Sequence, residues 1–293
     1  MSDAARLKTI AEDAAHQQEL DIANLRHIKP RHYGRMIAAA IILLLAALLV
    51  RAFAEGQIGW AVVGQYIFWP TIMMGVVNTV WLSVASMAIG VILGGLCAVA
   101  RSSPNAVLRT VALFYTWFFR GTPIILQLLV WYNLALVFPH IGIKGIWYAK
   151  TVHVMTPAAA ALLGLGLNEG AYISEIMRAG LLAVDVGQYE ACKAIGMPRL
   201  MMLRRIIMPQ ALRVAIPPLG NEFIGLVKTS SLASIVGFTD LLKASENVYY
   251  VNTAVMELLL VAGLWYLVVV TVLSVFQRSL EQRASRGFAR AAR

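Results

Sequence analysis

The chain is predicted to be an all-α integral membrane protein: six transmembrane helices, N- and C-termini cytoplasmic, and a short charged helical segment in the cytosol between helices 4 and 5. Three observations carry that prediction. First, 59% of the 293 residues are hydrophobic and 14% are charged, with a mean hydropathy of +0.71, which leaves too little polar side chain to cover a water-soluble body of this size. Second, stretches apolar enough to cross roughly 30 Å of hydrocarbon, about 20 helical residues, recur along the chain. Third, nineteen of the 25 Lys and Arg fall in pieces this topology places inside, and four (Arg51, Lys144, Lys150, Lys243) in pieces it places outside. That is the bias expected of cytoplasmic loops. The net charge of +10 is thereby assigned to orientation and anionic headgroups, and no nucleic-acid partner is expected.

The elements follow in order. Residues 1–35 are a polar cytoplasmic tail, readable as a loose amphipathic helix. A first apolar run covers 36–54. Its "AFA" at Ala52–Ala54 resembles a signal cleavage site, but a 35-residue lead is too long for one, so a retained anchor is expected. Residues 55–70, with Trp60, Tyr66 and Trp69, should lie in the interface as aromatic belts do. The remaining spans are placed near 71–100, 121–139, 157–180, 211–236 and 254–276, with a basic cytoplasmic tail at 278–293. The apolar stretch Ala106 to Phe119 either leans along the membrane or lengthens the third span. Cys97 and Cys192 stand far apart with no CxxC or Cys/His cluster, so neither a disulfide framework nor a metal site is expected.

The longest cytoplasmic loop between spans holds "QYEACKAIGMPRLMMLRRIIMPQALR", Gln188 to Arg213. Gln188 to Ile195 reads as two helical turns. Gly196 can take the left-handed geometry that ends a helix, and Pro198 cannot extend one. A second short helix, Arg199 to Ile207, should stop at Pro209. A connector snorkelling its bases to the lipid surface would account for the charge. Glu190, Ala191 and Ala194 instead form a small-residue ridge with one acid, suited to a groove on another protein.

"EACKAIGMPRLMMLRRIIMP" resembles the signature loop of the inner-membrane permeases of bacterial ABC importers: EAA, three residues, G, nine residues, I, one residue, LP. Glu190, Ala191, Gly196, Ile206 and Pro209 fit in register; Cys192 and Met208 depart conservatively. Further stretches resemble the polar amino acid branch of that family: "FFRGTPIILQLLVWY" (Phe118 to Tyr132), "LNEGAYISEIMRAGL" (Leu167 to Leu181) and "PPLGNEFIGLVKTSSLASIVG" (Pro217 to Gly237). The resemblance makes 71–277 the permease domain, with 186–209 its coupling loop, and leaves the tail and first span as additions.

The resemblance implies a subunit of the bacterial cytoplasmic (inner) membrane. Its implied partners are a cytosolic ABC ATPase dimer docked on the loop, a second permease chain, an extracytoplasmic amino-acid-binding protein and a polar amino acid as cargo. Glu190, Ala191, Ala194, Gly196 and Pro209 would then couple to the ATPase. No cofactor is expected in this chain, ATP and Mg²⁺ belonging to the ATPase, and no catalytic residue. The chain has no GxxxxGK[ST]; the look-alike "GNEFIGLVKTS" lacks the Lys after its second Gly.

Ionisable groups inside spans face protein or water rather than lipid. Asn168, Glu169 and Tyr172 share one helical stripe, Gln127 lies on the third span, and Glu222, Lys228, Thr229 and Ser231 put polar groups into the fifth. A zwitterionic cargo needs an ammonium partner, Glu169 or Glu222, and a carboxylate partner, Lys228 or hydroxyls. The same groups would equally satisfy one another in a packing network. Glu175 and Arg178 are spaced for an intrahelical pair, and Arg120 in "RGTP" for organising a bend. "GVILG" (Gly90 to Gly94) and "GLNEG" (Gly166 to Gly170) permit close helix contact, within the chain or with another.

Two rival classes fit the sequence less well. A self-contained secondary amino acid transporter usually has two related halves, and no internal repeat is visible. A membrane enzyme would need a catalytic constellation, and the histidines (His16, His27, His32, His140, His153) all lie outside the expected spans.

Overall fold

The computed structural model describes residues 6–15 and 33–284; the rest of the N-terminal tail, with His16, His27 and His32, and residues 285–293 of the basic C-terminal tail lie outside them. The chain divides into two units, Met1–Ile58 and Gly59–Arg293.

In the first unit, residues 6–15 form a helix, α1, followed by α2, Tyr33–Glu55. The α2 helix is apolar on every side and long enough to span a membrane, and none of its residues is buried. An all-round apolar helix of this kind is a membrane span rather than half of a water-facing pair. Its exposed Arg51–Glu55 pair, 2.9 Å apart at i, i+4, contributes at most about 0.5 kcal/mol.

The second unit opens with α3, Trp60–Tyr66, whose Tyr66 ring lies 5.1 Å from that of Trp69. The long α4, Pro70–Arg101, begins at a proline that suits a first helical turn. Next comes α5, Ala106–Gly121, capped by the Asn105 side chain. A bend of 102° separates it from α6, Ile124–Tyr132, and the 3₁₀ turn that follows. The third expected span, 121–139, is thus the second limb of a broken helix. The break falls at Thr122 and Pro123, because proline disfavours the helical region for the residue before it.

The connection between α6 and the next long helix is not helical throughout. Strands β1, His140–Ile143, and β2, Trp147–Lys150, pair antiparallel in the register Ile143↔Trp147. The all-α expectation is corrected here. Gly142 and Gly145 take φ of +110° and +94°, allowing a tight reversal between Ile-, Trp- and Tyr-bearing segments that favour strand.

After the short α7, Thr151–Val154, the chain enters α8, Pro157–Leu182. Then come α9, Val186–Ala194, and α10, Arg199–Met202. A π turn, Leu203–Ile207, leads into α11, Met208–Thr229. The second loop helix therefore does not stop at Pro209. That proline sits in the first turn of α11, where its missing N–H is no loss. A 3₁₀ turn (Ser230–Val236), α12 (Leu241–Asn252) and α13 (Val255–Ala284) complete the unit. Residues 278–284, assigned to the tail from sequence, continue α13.

Among the described residues, three helices, α2, α4 and α13, are long and apolar enough to cross a membrane, and the bent α5–α6 pair makes a fourth. The α8 and α11 helices are long enough at 26 and 22 residues. Asn168, Glu169 and Glu175 in the first, and Asn221, Glu222 and Lys228 in the second, make them too polar to count by composition alone.

The α4–α8 contact is the centre of the bundle. A Cβ on Gly94 would lie 2.7 Å from Ile173 and 2.9 Å from the Gly170 carbonyl oxygen, and one on Gly166 would lie 2.8 Å from Ile89. Both small-residue motifs are thus used within the chain, against each other. Around them Leu82, Leu128, Leu165, Leu226 and Val236 form the buried core. Asp240, fully buried, caps α12 and accepts from the Tyr266 hydroxyl at 3.0 Å, while Leu241 N donates to Thr79 Oγ1 at 3.0 Å. These bonds tie α12 to α13 and α4.

Gly94→Ala should destabilise the chain by about 1–3 kcal/mol through overpacking. Neighbouring Gly95, whose added Cβ meets nothing within 4 Å, should tolerate alanine or gain up to about 1 kcal/mol of helix propensity. Thermal unfolding of the two variants in one detergent checks this; equal midpoints would contradict the packing argument.

Candidate functional site

A cavity of about 480 Å³ opens where three elements converge: the α5–α6 bend, the middle of α8 and the second half of α11. The bend contributes Arg120 and Thr122, α8 contributes Asn168, Glu169 and Tyr172, and α11 contributes Glu222, Gly225 and Thr229. Five of the eight residues assigned from sequence to a substrate pathway therefore share one wall system. Gln127, Lys228 and Ser231 are not in its lining.

The α8 stripe is placed by the glycine contact. Gly90 leaves room for the Glu169 stem, since a Cβ there would be 2.9 Å from Glu169 Cγ. Glu169 is 6% exposed, and its Oε1 has no hydrogen-bond partner in the protein. Asn168 is turned the other way: its Nδ2 donates to Phe119 O at 2.8 Å and to Gln127 Oε1 at 3.3 Å. Gln127 Nε2 in turn donates to Phe119 O at 2.9 Å, Thr122 O at 3.1 Å and Thr122 Oγ1 at 2.8 Å. Two buried amides thus take up backbone carbonyls that the broken helix leaves unpaired, which would otherwise be costly at this depth. Lys228 is exposed on α11, and Ser231 Oγ donates to its carbonyl at 2.8 Å.

Arg120 faces both the cavity and an ion cluster. Glu175 Oε1 receives Arg101 Nη1 at 2.5 Å and Arg120 Nη1 at 3.3 Å, and Oε2 receives Arg178 Nη2 at 3.0 Å. The intrahelical Glu175–Arg178 pair is present, but Arg101 is the better buried partner, its side chain 13% exposed against 39% for Arg178. The Arg120 guanidinium also lies 5.3 Å from the Tyr172 ring centre. Sequence reasoning placed Arg120 at the bend and missed its place in the cavity. The available signal was its position in the last turn of an amphipathic helix, just before Thr122 and Pro123.

The 186–209 loop forms a second surface. Asp185 caps α9 by accepting from Gly187 N at 2.7 Å. Gly196 has φ +67°, the left-handed conformation expected of it. The inner side of α9 is fixed: Cys192 is buried, and Tyr189 packs with Val184 against Ile207 and Ala211. The Tyr189 hydroxyl donates to Leu181 O at 3.2 Å, and burial pushes its ionisation upward, keeping it a donor. Glu190, Ala191, Ala194 and Pro209 are left exposed. Cys192 is a departure from the signature that points inward, away from this exposed ridge.

A helical bundle with long apolar helices, a polar cavity between them and a structured ridge on a connecting loop defines a membrane transport component. The chain belongs to the family of binding-protein-dependent transport system inner membrane components, which residues 90–286 match. It is 41% identical to an arginine transport system permease protein of Corynebacterium glutamicum over 89% of this chain and 83% of the other. With an L-cystine transport system permease protein of Bacillus subtilis it shares 36% identity over 78% and 92%. Among solved structures, an amino acid ABC transporter aligns with a TM-score of 0.66 at 32% identity, over 75% of this chain and 97% of that one.

Arg101→Gln should cost about 1–3 kcal/mol of stability by leaving a partly buried carboxylate short of its main donor, while Arg178→Gln should cost at most about 0.5 kcal/mol. Unfolding of the two purified variants tests the ranking; an equal or larger loss for Arg178→Gln would refute it.

Proposed function

We propose that the chain is the permease subunit of an ABC-type importer that carries a polar amino acid across the bacterial cytoplasmic membrane. Separate ATPase subunits dock on the 186–209 loop and supply the energy. The observation that carries the reading is one chain having both a polar cavity within its bundle and an exposed Glu190–Ala191–Ala194 ridge held by a buried underside. The cargoes in the relatives' names, arginine and L-cystine, are polar amino acids.

In this reading α2, α4, the α5–α6 pair, α8, α11 with its 3₁₀ turn, and α13 make six spans with both termini in the cytoplasm. The permease domain is 71–277, 36–54 is an added anchor, and 55–70 rests in the interface. The cargo passes Asn168, Glu169, Tyr172, Glu222 and Thr229. Gln127 acts on the path indirectly by holding the bend, and Lys228 and Ser231 reach it only from the outer face of α11. There a second permease chain completes the pathway, since an exposed lysine inside a span requires a protein or water neighbour. An extracytoplasmic binding protein delivers the cargo. This chain binds no cofactor and hydrolyses nothing; ATP and Mg²⁺ act on the ATPase.

Docking uses the small side chains of Ala191 and Ala194 for close approach and the Glu190 carboxylate for a base on the ATPase. Gly196 holds the bend in a conformation that costs a residue with a side chain roughly 1–2 kcal/mol. Glu190→Ala should lower ATP-driven uptake by about tenfold, as the loss of one charge-assisted bond implies. Gly196→Val should lower it further, with both variants still inserted and in normal amount. Uptake assays in proteoliposomes alongside membrane quantification check this. Full uptake in both variants, or uptake by the chain alone under an ion gradient, would sink the reading.

A further inference from the structure

Between the end of α6 and the start of α8 the chain carries charge of one sign only. Residues 133–156 hold Lys144, Lys150, His140 and His153 and no Asp or Glu. The middle of this stretch is the β1–β2 hairpin, whose register sorts its side chains onto two faces. Ile141 pairs with Ala149 and Ile143 with Trp147 on one face; His140 pairs with Lys150 and Gly142 with Tyr148 on the other, because successive side chains of a strand alternate. The second face is ordered. The His140 and Tyr148 rings stack 5.0 Å apart, and Lys144 Nζ lies 5.6 Å from the Tyr148 ring centre. The first face is apolar and open: Ile143 and Trp147 are exposed, and Ile146 at the turn is 84% exposed.

A two-stranded ribbon is marginal in water, and among the described residues nothing covers the Ile143–Trp147 end of this one. Its base is nevertheless fixed. Thr151, fully buried, donates from N to Pro139 O at 3.0 Å and from Oγ1 to Phe138 O. Residues 137–139 alone separate β1 from the 3₁₀ turn after α6, and residues 151–156 separate β2 from α8. Strands of four residues reach about 13 Å, so the ribbon stays close to the level where α6 ends and α8 begins. With α6 and α8 as spans, that level is the bilayer surface. Trp and Tyr settle at headgroup depth, and lysines are drawn to anionic lipid, which the absence of any acid leaves unopposed. We propose that the β1–β2 hairpin is an interfacial anchor: Ile143, Ile146 and Trp147 enter the bilayer surface, and Lys144 and Lys150 reach the headgroups of anionic phospholipid. The proposal rests on α6 and α8 being spans, and not on the cargo. Such an anchor would pin the ends of both helices, the second limb of the bend and the helix bearing Glu169, to one lipid level.

The test uses the full chain in lipid nanodiscs, without binding protein. A nitroxide is attached at Ile146→Cys, and separately at Val130→Cys on an exposed position of α6, in a chain whose Cys97 and Cys192 are replaced by alanine. In discs containing phosphatidylglycerol, both labels should relax faster with oxygen, which concentrates in lipid, than with a neutral, water-soluble nickel chelate. Lys144→Gln and Lys150→Gln should each lower the immersed-to-free ratio of the label at 146 roughly fivefold, as the attraction of one lysine to an anionic surface implies. Discs of phosphatidylcholine alone should weaken immersion of the unsubstituted hairpin and make the lysine variants indistinguishable from it. A label at 146 reached by the nickel chelate while the label at 130 stays with oxygen overturns the proposal and leaves the spans standing. Protection at 146 that appears only on adding the binding protein, or only in discs holding two chains, gives the face to a protein and overturns it as well. Immersion that ignores both lysines in phosphatidylglycerol discs overturns the headgroup assignment. Nickel chelate reaching both labels fells the span reading together with the proposal.

Discussion

The site depends on how closely α4 and α8 approach. Gly90 and Gly94 on one helix and Gly166 and Gly170 on the other leave no space for a Cβ at their contact, so the helix backbones meet directly. Lipid chains are as apolar as leucine, and helices in a bilayer gain little by hiding apolar surface from one another. Dense van der Waals packing of small residues supplies the attraction instead. That contact buries Glu169 and sets the rotation of α8, which presents Glu169 and Tyr172 to the cavity and turns Asn168 toward the bend. Were either helix displaced by one methyl group, the stripe would lose its place relative to Phe119 and Gln127.

The second constraint is hydrogen bonding without water. A helix broken by 102° exposes carbonyls that a bilayer cannot satisfy. Asn168 and Gln127 meet that need, which explains why two amides lie beside a cavity yet give their donors to the protein. Their commitment leaves the charged groups Arg120, Glu169 and Glu222 on the cavity wall. A buried amide network fully engaged on backbone is rigid, so it also fixes where Arg120 begins.

Much of the 186–209 loop was legible because its determinants are local. Gly196 and Pro198 specify a left-handed stop and a restart whatever surrounds them. The break at Gly121–Pro123 was equally readable, but its angle was not, because that is set by amides from Gln127, four residues on, and Asn168, on another helix. Small-residue motifs announced close contact without naming a partner, since a glycine row records only that something approaches. The hairpin at 140–150 was overlooked although Gly142 and Gly145 sit between strand-forming residues; the apolar surroundings drew attention to helices. Arg120 was legible at the bend but not as part of the cavity lining. Sequence assigns a residue at a helix end to that end, and only the fold shows that this end borders a cavity.

The loop and the cavity are joined by continuous structure. The α9 underside packs on Ile207 and Ala211, and from Met208 the chain runs as one helix to Thr229, passing Glu222 and Gly225 on the cavity wall. No loop intervenes that could absorb a displacement. The π turn at Leu203–Ile207 is the one irregular step, and such turns are places where a helix can shift register locally. Pro217 and Pro218 inside α11 remove backbone donors, so this helix is also the one best able to bend along its length. Side-chain packing and a helix axis therefore connect the α9 underside to the wall bearing Glu222. The opposite wall, Glu169 and the bend that carries Arg120, is pinned by glycine packing and buried amides. One wall is thus held by packing and buried amides, and the other is continuous through α11 with the 186–209 loop.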